Sequence, residues 1–162
     1  LLVSPVPNWV ILLGFVSGGV TRGLCVGLAV TFAISFFVEL SVYSYGILAV
    51  SFLLTSVMFA LAGFINAIFA KSFDDISIVP TFVLLPLTYL GGMFYSIDIL
   101  PSFWRSLSAF NPIFYMMDGF RLGMLGIGST ELYLAFMVPL AMIALLAAVA
   151  LYLLKRGVNT KT

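Results

Sequence analysis

Between Glu131 and Lys155 lie 23 residues without a charge, LYLAFMVPLAMIALLAAVALYLL, followed at once by Lys155 and Arg156. An α-helix needs about 20 apolar residues to cross the core of a bilayer. A helix that is apolar on every side has no wet face to offer, so it is either deeply buried or in lipid. The rest of the chain decides between these. It is 63% hydrophobic and 8% charged, whereas a soluble domain is about a quarter charged. Lipid is the solvent for most of this chain.

The few charges divide the sequence into four apolar segments. The first, 9–38, is interrupted only by Arg22. The second, 46–70, ends at Lys71. The third, 76–92, follows Asp74 and Asp75, and the fourth is 131–154. Four crossings of an all-α integral membrane domain spanning 1–162 are expected. If they alternate, Lys71, Lys155, Arg156 and Lys161 share one side, which the positive-inside rule makes cytoplasmic. Arg105 and Arg121 fall on the other side and weaken the bias. Arg22 fits best if the true span is nearer 23–38, so that it snorkels to headgroups. Trp9 to Gly19 is then an interfacial extension of the same helix. Leu1 is neither Met nor part of a basic leader, so the first residue reads as an internal point of a longer protein.

Several chemistries have no residues to carry them. The sequence has no His and a single Cys, Cys25, in an apolar run. Imidazole catalysis and His-ligated metals are excluded, and Cys25 reads as a small packing residue. Ala70-Lys71-Ser72 lacks the glycines of a phosphate loop. No catalytic, cofactor-binding or metal-binding residue is expected, and no nucleic-acid partner.

Residues 93–128 are too many for a tight turn and too apolar for a solvated loop. Phe103, Trp104, Leu107 and Phe110 are at helical spacing behind Pro101. Asn111-Pro112 stops that helix, because the residue before proline is pushed out of the α region. Residues 113–122 can then form a second short helix. Neither piece can span, and irregular backbone at membrane depth needs cover from protein or a watery cavity. A re-entrant hairpin is the economical reading.

Three features have a plain reading beside a sharper one. Gly14-x-x-x-Gly18 and Gly19-x-x-x-Gly23-x-x-x-Gly27 make a ridge without side chains, which lets helices approach closely in lipid. Packing within one chain is the commoner role, and a dimer seam the sharper one. Asp118 and Arg121, at i and i+3, are spaced to pair. The plain reading is a self-satisfied pair that keeps the hairpin near the headgroups, and the sharper one is a substrate or gate contact. Asp74 and Asp75 suit the positive end of a helix dipole.

The segments LLVSPVPNWVILLGFVSGGVTRGL, FAKSFDDISIVPTFVLLPLTYLGGMFYSIDILPSFW and FNPIFYMMDGFRLGMLG resemble the permease subunits of ABC-2 type exporters. That family includes polysaccharide, nodulation-factor and drug exporters. The likeness covers essentially the whole chain. Its most specific part is P-x-T-Y-L-G-G-x-F-Y-S from Pro86, followed by L-P-x-F-W, N-P and D-G-F-R.

The resemblance implies the C-terminal part of a six-helix permease in a bacterial inner membrane, with two helices upstream of Leu1. Residues 1–8 would end a cytoplasmic coupling loop, with Ser4, Pro5, Val6 and Pro7 near a separate ABC ATPase subunit. Gly14, Gly18, Gly19, Gly23 and Gly27 would line a helix on the side of a second permease copy. Residues 93–128 would form an exoplasmic re-entrant gate shaped by Gly91, Gly92, Pro101, Asn111, Pro112, Asp118 and Arg121. The alternatives are an ion-coupled carrier using Glu39, Asp98 or Asp118, and a membrane scaffold without substrate. Carrier acids usually sit near midplane on a broken helix, whereas these fall near span ends.

Overall fold

Apolar segments with little turn chemistry fold as helices throughout the described part of the chain. The computed structural model describes residues 6–39, 41–70, 72–92 and 101–156. The elements are α1 (Asn8–Ser35), α2 (Tyr45–Phe69), α3 (Phe73–Val79), a π turn over Pro80–Leu84, α4 (Leu85–Leu90), α5 (Ser102–Ala109), α6 (Pro112–Leu125) and α7 (Leu132–Arg156). Among the described residues, α1, α2 and α7 are long and apolar enough to cross a membrane.

These three helices pack together at one end. Leu12 of α1, Leu61 of α2 and Ala150 of α7 are buried in one cluster, with Phe64, Ile143 and Leu154 against it. Leu12 is near the start of its helix, whereas Leu61 and Ala150 are in the second halves of theirs. The start of α1 therefore lies with the ends of α2 and α7. Lys155 and Arg156 close α7 at this end, where cations complement the helix dipole. The guanidinium of Arg156 sits 4.7 Å from the centre of the Tyr152 ring.

The third apolar segment is a broken helix, and its prolines explain why. Ser72 caps α3: its hydroxyl accepts from Asp75 N, and the Asp75 carboxylate accepts from Ser72 N. Helix therefore begins at Phe73, ahead of the expected 76, with Asp74 and Asp75 in its first turn. Pro80 has no N–H for the Ile76 carbonyl. Asn66 of α2 supplies the missing donor, Nδ2 to Ile76 O at 2.9 Å. Past that point the backbone loosens into the π turn, in which Leu85 N reaches Pro80 O. A π turn is a frequent response to a disrupted ladder. The stretch leaves the end of α2 and finishes beside the start of α6, where Gly91 meets Ile113.

Arg22 is not at a span end. α1 is continuous over 28 residues, and its glycine ridge fixes its level against α2. A Cβ on Gly19 would fall 2.8 Å from Ala60 Cβ, and one on Gly23 would fall 3.1 Å from Ser56 Oγ. Those two positions of α2 are each roughly 14–17 Å from its nearer end at 1.5 Å per residue. Arg22 lies between the two glycines, level with the middle of α2.

Candidate functional site

Among the described residues, the most deeply buried helix is the one that begins at Asn111-Pro112. Pro112 at the first helical position loses no hydrogen bond, and Asn111 Oδ1 accepts from Ile113 N at 3.0 Å as the cap. The helix ends at Gly126, which has φ 71° and donates its N–H to Leu122 O. Between these caps, Ile113, Phe114, Met116, Asp118, Gly119 and Gly123 are all buried. They are covered because α6 is wedged between α2 and α7. A Cβ on Gly119 would lie 2.7 Å from Ser51 Oγ and 3.9 Å from the Ala135 side chain.

The polar side chains of α6 hold the backbone of the segments on either side. Asn111 Nδ2 donates to Leu87 O at 2.6 Å, and Arg121 Nη2 donates to Gly92 O at 3.0 Å. Leu87 O is among the last carbonyls of α4, which a helix end leaves without intrahelical partners, and Gly92 O lies just past that end. On the other flank, Asp118 accepts from Ser129 N at 2.7 Å, from Thr130 N at 2.9 Å and from the Thr130 hydroxyl. That turn leads into α7. α6 thus brackets the end of one apolar stretch and the start of the next.

The expected Asp118–Arg121 ion pair does not form. Each group has nearer polar partners in the flanking turns, and among the described residues Ser129 links the two. Its N–H donates to Asp118, and its hydroxyl accepts from Arg121 at 3.4 Å. Nor does α6 ride among headgroups on its own, since Asp118 is 1% exposed. The acid and the base are two ends of one polar chain, each tying α6 to a different neighbour.

Losing the Asn111 clamp should be measurable. Asn111→Ala removes both a helix cap, worth about 0.5–2 kcal/mol, and the bond to Leu87 O. Asn111→Ser keeps the cap alone. In the detergent-purified full-length protein, the alanine variant should melt several degrees lower and the serine variant midway. A serine variant indistinguishable from the parent would show that the clamp contributes nothing.

The other sequence-derived positions are dispersed. Ser4 and Pro5 lie outside the described residues, as do Asp98 and the 93–100 part of the hairpin. Val6 and Pro7 are exposed at the start of α1, where the Pro7 carbonyl accepts from Val10 N. Gly14 and Gly18 face open space, while Gly19, Gly23 and Gly27 face α2. Gly91 and Gly92 end the third apolar stretch, the latter at φ 75°. Pro101 precedes α5, and Glu39 is exposed beyond α1.

Comparison with known proteins bears out the family resemblance. Residues 1–125 match the family model described as ABC-2 type transporter. The chain belongs to the ABC-2 type transporter family. It is 53% identical over 157 residues to "Inner membrane transport permease YadH" of Escherichia coli K12, and equally to that of Shigella flexneri, covering 97% of this chain and 61% of each relative. It is 32% identical over 73 residues to "Nodulation protein J" of Rhizobium leguminosarum bv. viciae, covering 45% of this chain and 28% of that protein. The chain thus spans about three fifths of the YadH relatives' length. No solved structure matches it significantly.

Sequence reading of this ABC-2 chain missed Asn66, Ser129 and Thr130. Asn66 had a signal, since a proline inside an apolar segment frees a carbonyl that a neighbouring span must satisfy. Ser129 and Thr130 had a weaker one. They precede α7 in a short polar run, where a buried carboxylate can find backbone donors.

Proposed function

We propose that this chain is the membrane-spanning part of an exporter permease in a bacterial inner membrane, driven by a separate ABC ATPase subunit. The observation that carries the reading is the family match over residues 1–125, joined by near-complete coverage of this chain by relatives named as inner membrane transport permeases. The helices suit it. On this reading α1, α2, the broken α3–α4 stretch and α7 would be four alternating crossings, with the start of α1 and the end of α7 on the cytoplasmic side. α5 carries Phe103 and Trp104 at its surface, as an interfacial exoplasmic helix would, and α6 turns back into the protein as the re-entrant arm. The ATPase performs the phosphoryl chemistry, and the permease converts its ATP-bound state into a change of access. Two permease copies would form the pathway.

The test is coupling through residues 4–7. Full-length permease should co-purify with its ATPase, and a cysteine at Ser4 should cross-link to it. Scrambling Ser4, Pro5, Val6 and Pro7 should reduce co-purification at least about tenfold while the permease still elutes as a single species. Undiminished binding after scrambling, or transport in proteoliposomes that needs no ATP, would remove the reading.

A further inference from the structure

A guanidinium in the middle of an apolar helix pair needs an anion or water, and the structure gives Arg22 neither an ion pair nor a hydrogen bond among the described residues. An unpaired charge at that depth is costly, and only arginines near helix ends reach the headgroups by snorkelling. Arg22 borders a groove of about 490 Å³ between α1, α2 and α6. That volume is within the usual range for small-molecule sites, which are mostly apolar with a few polar groups that orient the ligand. The walls are Val26, Phe52, Phe59 and Phe120, with Phe52 and Phe120 edge to face at 5.4 Å. Thr55 lines the same groove, and its Oγ1 is buried with no hydrogen-bond partner. In helices such hydroxyls commonly bond back to the preceding turn, as Thr21 and Thr31 do here. The Thr55 hydroxyl is therefore an unpartnered donor just beneath the wall of the groove that Arg22 borders.

We propose that this groove binds the anionic group of an amphipathic molecule, a phosphate or carboxylate held by Arg22 and Thr55, with its apolar body against the phenylalanines. A planar guanidinium can give such a group two parallel hydrogen bonds, and the close seating of Gly19 and Gly23 on α2 brings the Arg22 helix against the groove's other wall. Only the further step of taking this molecule as the cargo rests on the exporter reading.

Binding can be measured without transport. Detergent-purified full-length permease, without its ATPase, is titrated with dodecyl phosphate, dodecanol and inorganic phosphate, and its thermal midpoint is followed. Saturable stabilisation by dodecyl phosphate is expected, with dodecanol and inorganic phosphate each at least about tenfold weaker. Arg22→Gln should weaken dodecyl phosphate at least about tenfold, the usual scale for a hydrogen bond to a charged group. Arg22→Lys should recover part of that loss, and Thr55→Val should weaken binding less. Repeating the titration in nanodiscs with and without phosphatidylglycerol separates the sources: competition marks a membrane lipid as the ordinary occupant, and its absence a free amphiphile. Equal binding of dodecanol and dodecyl phosphate overturns the proposal, as does unchanged affinity in Arg22→Gln. So does a wild type that binds nothing while Arg22→Gln melts far lower, because Arg22 then pairs with an acid of the permease itself. A permease that binds as described yet neither docks an ATPase nor needs ATP would instead defeat the exporter reading and leave the site standing.

Discussion

Asp118→Ala should lower the stability of the full-length permease by about 2–4 kcal/mol, the largest effect expected from any single polar substitution in this chain. The carboxyl group is 1% exposed and accepts from two backbone N–H groups and a hydroxyl. Alanine leaves Ser129 N and Thr130 N without that acceptor, at about 1–3 kcal/mol for each unsatisfied group, partly relieved by water because the turn is only half buried. Asp118→Asn keeps one acceptor oxygen but turns an NH₂ towards donors, so it should fall between the two. Arg121→Ala should be milder, because its partners are a carbonyl and a hydroxyl that can turn to water. The check is the melting midpoint in detergent, with Asp74→Ala as an exposed control. Were Asp118→Asn as stable as the parent yet inactive in transport, the carboxyl group would be doing proton chemistry rather than holding the turn.

How much of this was legible in the sequence depends on the range of the interaction. The break at Asn111-Pro112 is local, and it falls where the proline requires it, with α5 ending at Ala109 and α6 starting at Pro112. The acids before the third segment also read correctly as N-terminal, although the Ser72 cap moved the start to Phe73. The partners of Asp118 and Arg121 were not legible. Spacing of i and i+3 says that two side chains are neighbours, but not that loops 11 and 29 residues away offer better groups. The same limit applies to Asn66 and the carbonyl freed by Pro80, since the spacing between them is set by how two spans meet. Arg22 was visible as an anomaly, yet its level in the bundle needed the register of α1 on α2. Small-residue spacing marks a helix face that can approach another closely. It does not say that Gly14 and Gly18 face open space while Gly19 and Gly23 touch α2.

That difference among glycines yields the second large effect, and the shortest distance does not identify it. A Cβ on Gly27 would overlap the Phe52 ring at 1.8 Å, whereas one on Gly123 would sit 2.9 Å from Leu48 N and 3.0 Å from Leu48 Cα. The Phe52 ring is the far end of a side chain, and the groove it lines gives it room to turn. Leu48 presents backbone in the first turn of α2, and that turn is fastened to α6 by Ser44 N donating to Gly123 O and Tyr43 N to Met124 O. Nothing there can rotate away, so α6 itself must move. Overpacking of this kind costs about 1–3 kcal/mol. Gly123→Ala should therefore lower the melting midpoint more than Gly27→Ala, and Gly123→Leu should prevent a stable bundle, while Gly14→Ala and Gly18→Ala change little in the isolated chain. Displacing α6 would also pull Asp118 from Ser129 and Arg121 from Gly92. Gly123→Ala combined with Asp118→Ala should then destabilise by less than the sum of the two, because sites that share a structural unit are not additive. Additive losses would show that α6 is seated independently by its two seams, and that the bracket does not act as one unit.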